Sequence, residues 1–159
     1  DLVDPDVRAT IEEVMADPGP LVGALAAEPA TLLHGDYRLD NLSVMPDDSV
    51  VAFDWQFTGR GPGVMDLAWL VRSVGVFEYR SWAFDCYRDA LVEALDGELD
   101  VPRWDRALAI AKFAHVLRVG CFIGFFAIVP DDEPPEWTAY NRAQIHGVNE
   151  VVRHGADLL

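Results

Sequence analysis

Apolar and polar positions along this chain follow three patterns in turn, and each predicts a different kind of element. In "DPDVRATIEEVMAD" (4–17), Asp4 stands as a helix cap, Pro5 opens the first turn, and "PGP" closes the segment, so a helix is predicted. "LVGALAAE" (21–28) predicts a second, short helix, and "TLL" (31–33) a brief extended piece. Next come "LSVM" (42–45) and "VVAFD" (50–54), two β-rich runs around the polar loop "PDDS", which read as a hairpin. From residue 62 the pattern turns helical. "GVMDLAWLVRSV" (63–74) spaces Met65, Leu67, Ala68, Leu70, Val71 and Val74 by three and four, and "EYRSWAFDCYRDALVEAL" (78–95) stops at Asp96-Gly97. "PRWDRALAIAKFAHVLRVGCFIGFFAIV" (102–129) predicts a long, mostly buried helix, and residues 134–159 supply one or two more. The expected fold class is mainly α with a small β-hairpin (α+β), a single domain over 1–159 with no dividing linker and no internal repeat.

The hairpin carries the candidate chemistry. A four-residue loop at 46–49 would pair Met45 with Val50, Val44 with Val51 and Leu42 with Phe53, which sets Asn41 opposite Asp54. Facing residues hold their Cβ atoms roughly 4.5–5.5 Å apart, close enough for an amide oxygen and a carboxylate to share a hard cation such as Mg²⁺. Asp36 lies five residues before Asn41, across a polar loop that would fold a second carboxylate toward the pair. Two close carboxylates repel unless a cation or a role as a base justifies them. Taken singly, each of these residues has a plainer reading, since Asp and Asn make local turns.

Composition narrows the classes. With 51% apolar and 25% charged residues, the chain is an ordinary globular sequence and not a disordered one. A net charge of −15 excludes nucleic acid and anionic membrane as natural partners and suits a cationic small substrate, although such charge also serves solubility alone. Cys86 and Cys121 form no CxxC pair and read as reduced core thiols, which with no signal peptide at the start predicts a cytoplasmic setting. The most apolar run, 119–129, is too short for a membrane span.

"HGDYRLDN" (34–41), "FDW" (53–55) and "GRGPGVMDLAWL" (59–70) together resemble the catalytic loop, metal Asp and following D-L-A stretch of the aminoglycoside phosphotransferase and choline-kinase-like family. These are small-molecule relatives of protein kinases, with the loop H-R-D-x-x-x-x-N and the motif D-F-G. The resemblance covers residues 31–74 and implies a protein-kinase-like C-terminal lobe. Its catalytic loop would be 34–41, its metal-binding hairpin 42–54 and its helical body 62–159. By position it makes Asp36 the base for the acceptor hydroxyl, and Asn41 and Asp54 the holders of Mg²⁺ under ATP or another nucleoside triphosphate. Arg38 would steady the transferred phosphoryl group, with a surface arginine as the alternative. His34 resembles the framework histidine, and Asp66 the helix Asp that binds the loop backbone, or else an Asp placed by the helix dipole.

Two departures matter. "DWQ" (54–56) stands where protein kinases have D-F-G, as in other small-molecule kinases. The larger one is that 33 residues precede His34, with no Gly-rich strand-turn-strand and no lysine, whereas a whole kinase covers its phosphates with an N-terminal lobe. The chain also opens on Asp1 rather than Met. The expectation is therefore a C-terminal lobe without its nucleotide lobe, from a kinase of a small hydroxylated molecule and inactive when isolated. Apolar surface left bare where that lobe docks would favour self-association. Two other readings are a catalytically silent kinase-like binding or scaffold module and a metal-dependent hydrolase, the latter weakened by an oxygen-only ligand set.

Overall fold

The computed structural model describes residues 3–73, 78–127 and 147–159. Helices dominate: α1 (Pro5–Ala16), α2 (Gly19–Ala26), α3 (Val64–Ser73), α4 (Glu78–Ala94), α5 (Val101–Ala127) and the helical residues 147–156 (α6). Strands β1 (Thr31–Leu33), β2 (Leu42–Val44), β3 (Val50–Ala52) and β4 (Gly59–Gly61) form two small antiparallel sheets, β1–β4 and β2–β3. The protein is thus mainly helical with a minor β component, and it carries one sheet more than the hairpin predicted. The predicted helices within 134–146 lie outside the described residues.

The chain divides into two units, residues 1–24 with 109–159, and residues 25–108. In the first, Val7, Ile110, Phe113 and Val152 are almost fully buried. Gly155 lets α6 lie on the Phe113 side chain, where any Cβ would collide. Asp4 sits at the cap position of α1 with extended backbone, yet its carboxylate makes no capping bond and goes to Arg153 on α6. Arg153 also takes both oxygens of Asp6, and this bond holds the Asp6 carboxyl below the usual carboxylate range.

The second unit holds the candidate chemistry. Val64, Leu67, Ala68 and Val71 form the buried stripe of α3, at the three- and four-residue spacing a helix requires, and Trp104 and Ala107 line the start of α5. Glu28, just before β1, is buried and accepts Arg103 Nε at 2.8 Å and Arg106 Nη1 at 2.9 Å, so charge as well as apolar contact ties the entry of β1 to α5. Helix α4 ends as the Asp96-Gly97 signal predicts. Both residues take positive φ (51° and 85°), and Gly97 N–H donates to Val92 O at 2.8 Å.

Two expectations are corrected. The hairpin register is Leu42↔Ala52, Ser43↔Val51 and Val44↔Val50, one residue away from the predicted pairing. Turn chemistry decides it. Asp48 adopts φ 64°, Met45 N–H donates to Ser49 O at 2.8 Å, and Asp47 Oδ1 accepts Ser49 N–H at 3.1 Å. The loop therefore closes over three residues with a left-handed residue at its end, not over four. Nothing on the ladder resists the slip, because Val44, Val50 and Val51 are 70%, 56% and 46% exposed and no buried face pins the alternation. The second correction is Cys86, an exposed free thiol on α4 rather than a core one; the side chain of Cys121 lies outside the described residues.

Candidate active site

The turn between β1 and β2 is organised by a single carboxylate. Asp66, in the first turn of α3, accepts His34 N–H on Oδ2 at 2.6 Å and Gly35 N–H on Oδ1 at 2.9 Å. Gly35 has φ 79°, and a Cβ there would fall on the Phe57 carbonyl oxygen, so only glycine fits. His34 is buried and joins the loop to the hairpin. Its Nδ1 accepts Asp36 N–H at 3.2 Å, which leaves Nε2 to carry the proton and donate to Phe53 O at 2.9 Å. One backbone donor and one backbone acceptor fix the tautomer. The ring of Trp55 packs on His34 with centroids 4.5 Å apart.

Asp36 is buried and gripped from two elements. Trp69 Nε1–H donates to Oδ1 at 2.8 Å, and Asn41 Nδ2–H donates to Oδ2 at 2.9 Å. With both carboxylate oxygens bonded to side chains from two elements, the rotamer of Asp36 is set. Asn41, also buried, spends its other amide hydrogen on Asp36 O at 2.9 Å. With both hydrogens committed, the group it offers elsewhere is its carbonyl oxygen. Arg38 Nε lies 3.3 Å from Asp36 Oδ2, but its N–H makes no aligned hydrogen bond, and Nη1 reaches Asp40 Oδ2 at 3.3 Å. The pair is therefore a charge contact at the rim.

Asp54 does not face Asn41 across the ladder. Asn41 O accepts Phe53 N–H at 3.1 Å, so Phe53 is its cross-strand neighbour and Asp54 comes one residue later. Asp54 has φ 66° and ψ 55°, a left-handed conformation that ends the strand's alternation, so the predicted facing pair is replaced by a turn. Its exposed carboxylate is met by Gln56 Nε2 at 3.5 Å. What anchors Asp54 is Phe53, whose backbone is held by both Asn41 and His34.

The site residues named from sequence thus occur in one unit, with Asp36, Asn41, Arg38, His34 and Asp66 in one bonded network. Trp69 was not foreseen, although its spacing from Asp66 carries the signal. Residues three apart share a helix face, so α3 points both at the loop. Among the described residues no group of three or more His, Cys, Asp or Glu side chains forms a metal cluster.

A sequence model described as the phosphotransferase enzyme family matches residues 1–110. The chain belongs to the phosphotransferase enzyme family. This family match spans α1 through the first turns of α5 and so contains every residue of the network. No curated relative and no solved structure matches the chain. Family membership makes a kinase-like transferase the frame for the site, and no helix among the described residues is long and apolar enough to cross a membrane.

Proposed function

We propose that this chain supplies the catalytic and metal-binding half of an ATP-dependent kinase that phosphorylates a hydroxyl of a small molecule. The observation that carries the reading is the Asp36–Asn41 pair. The Asp36 carboxylate is held in place as a proton acceptor, and Asn41 has used one amide hydrogen on that carboxylate and the other on the Asp36 backbone carbonyl. The donor set fits Mg²⁺, which takes a few protein oxygens and otherwise phosphate and water. Asn41 Oδ1 and the exposed Asp54 carboxylate would hold it. Bound there, the ion would neutralise charge on the triphosphate. Asp36 orients the acceptor hydroxyl and takes its proton as the oxygen bonds to the γ-phosphorus, and the bond to ADP breaks. Arg38, at the rim, would meet the transferred group.

The acidic chain favours an acceptor bearing positive charge, such as an amino alcohol. The single lysine is Lys112 on α5, so a strand lysine for the α- and β-phosphates is not supplied from these residues. Hence the chain alone should bind Mg-nucleotide weakly and turn over little, and a nucleotide lobe is the implied partner. The test is ADP production with a panel of small alcohols, run on the 159-residue chain and on the longest reading frame containing it. The longer product should be active and should lose about a hundred- to ten-thousand-fold in rate in Asp36→Asn. Equal turnover by both chains would overturn the half-site reading. An active longer enzyme indifferent to Asp36→Asn would overturn the site assignment.

A further inference from the structure

The geometry points to a second small-molecule site in the unit 25–108, not lined by the 34–41 loop, that binds a small aromatic amine. A cavity of about 420 Å³ opens between the entry of β1, the start of α3, α4 and the start of α5. None of residues 34–41 lines it, nor does Asp54. Its volume is in the range of ligand pockets and would admit on the order of a dozen non-hydrogen atoms.

Two features of the wall select the ligand. Tyr87 and Trp104 stack with centroids 5.6 Å apart and an interplanar angle of 18°, and Leu91, Leu95 and Leu99 continue the apolar surface. An aromatic and apolar lining suits a ring, and aromatic side chains beside it favour a cationic over an anionic ligand. Charge agrees. Glu28, Glu98 and Asp100 line the cavity against one cationic residue, Arg103. The Arg103 guanidinium is already held by Glu28 Oε2 and by Ala27 O, both at 2.8 Å, and Glu28 Oε1 holds Arg106. Around Glu28, one buried carboxylate thus meets two half-exposed guanidinium groups, a local excess of one positive charge. Asp100 Oδ1 accepts Arg103 N–H at 3.0 Å at the head of α5, and both Asp100 and Glu98 are exposed, so two carboxylates at the mouth outweigh that single positive charge. An apolar body with an ammonium end matches this arrangement, whereas a carboxylate in the same place does not.

Tryptamine is the probe, with the neutral alcohol tryptophol and indole-3-acetate as matched controls, each titrated into the 159-residue chain by calorimetry at physiological salt. Tryptamine should bind most tightly, tryptophol more weakly and indole-3-acetate least. Glu98→Gln should weaken tryptamine by about two- to five-fold, the range for one exposed charge. Leu95→Trp, at an exposed position of the lining, fills the cavity without changing net charge and should abolish binding while leaving the circular dichroism spectrum intact. Absence of tryptamine binding overturns the proposal. So does binding that survives Leu95→Trp, which would mark attraction to the acidic surface alone.

Discussion

Asp66 should govern the order of the 34–41 loop, and Asp66→Asn isolates that role at constant size. The carboxylate accepts two backbone N–H groups, from His34 at 2.6 Å and Gly35 at 2.9 Å. An amide keeps one acceptor and turns a donor toward the other N–H. One charge-assisted bond is lost, about 1.5–3 kcal/mol, and the survivor falls to neutral strength. Together these loosen the loop by roughly 2–4 kcal/mol, toward the lower end because Asp66 is only half-buried. The event is local, so amide hydrogen exchange reads it better than a melting curve. The His34 and Gly35 amides should exchange roughly thirty- to a thousand-fold faster in the variant. An Asp that served only the dipole of α3 would change the amides of that helix by a few fold and leave the loop alone. Unchanged exchange at His34 and Gly35 would refute the reasoning.

Three further outcomes are expected. Gly35→Ala forces a side chain into φ 79° and onto the Phe57 carbonyl, and should cost at least about 2 kcal/mol in urea unfolding; a variant of wild-type stability would contradict the close approach. Burial, and then the nearby Asp66 charge, push the Tyr87 phenol above its usual 10.0. Its contribution to stability is thus complete below that value and is lost as pH rises through the folded-state pKa, so Tyr87→Phe should flatten the alkaline fall in stability, as spectrophotometric titration and unfolding curves would show. Exposed apolar side chains at Val44, Val50, Phe53, Trp55 and Phe57 should make the chain self-associate, with a sedimentation coefficient that rises with concentration and falls after Val44→Lys with Val50→Glu.

Element types were legible in the sequence because their signals are local. Caps, proline and three-to-four spacing place α1, α3, α4 and α5, and the HGD-x4-N run marks the loop. Three things were not. β4 is "GRG", a strand with no β-favouring residue of its own, which exists because β1 needs a partner. The hairpin register depended on Asp48 accepting a left-handed conformation, which side-chain alternation does not encode when both faces are wet. Asp54 left the ladder for the same kind of reason, so its relation to Asn41 runs through Phe53 and not across a strand pair. Trp69 was readable in principle, one helical turn past Asp66, but a tryptophan there also reads as core.

The proposed kinase site requires a divalent cation held at Asn41 and Asp54, and paramagnetic NMR tests this directly. Manganese added with ATP at physiological salt should broaden the amides around Asn41 and Asp54 first, and Asp54→Asn should remove that effect. Broadening spread evenly over the acidic surface, and unaltered by the substitution, would contradict it.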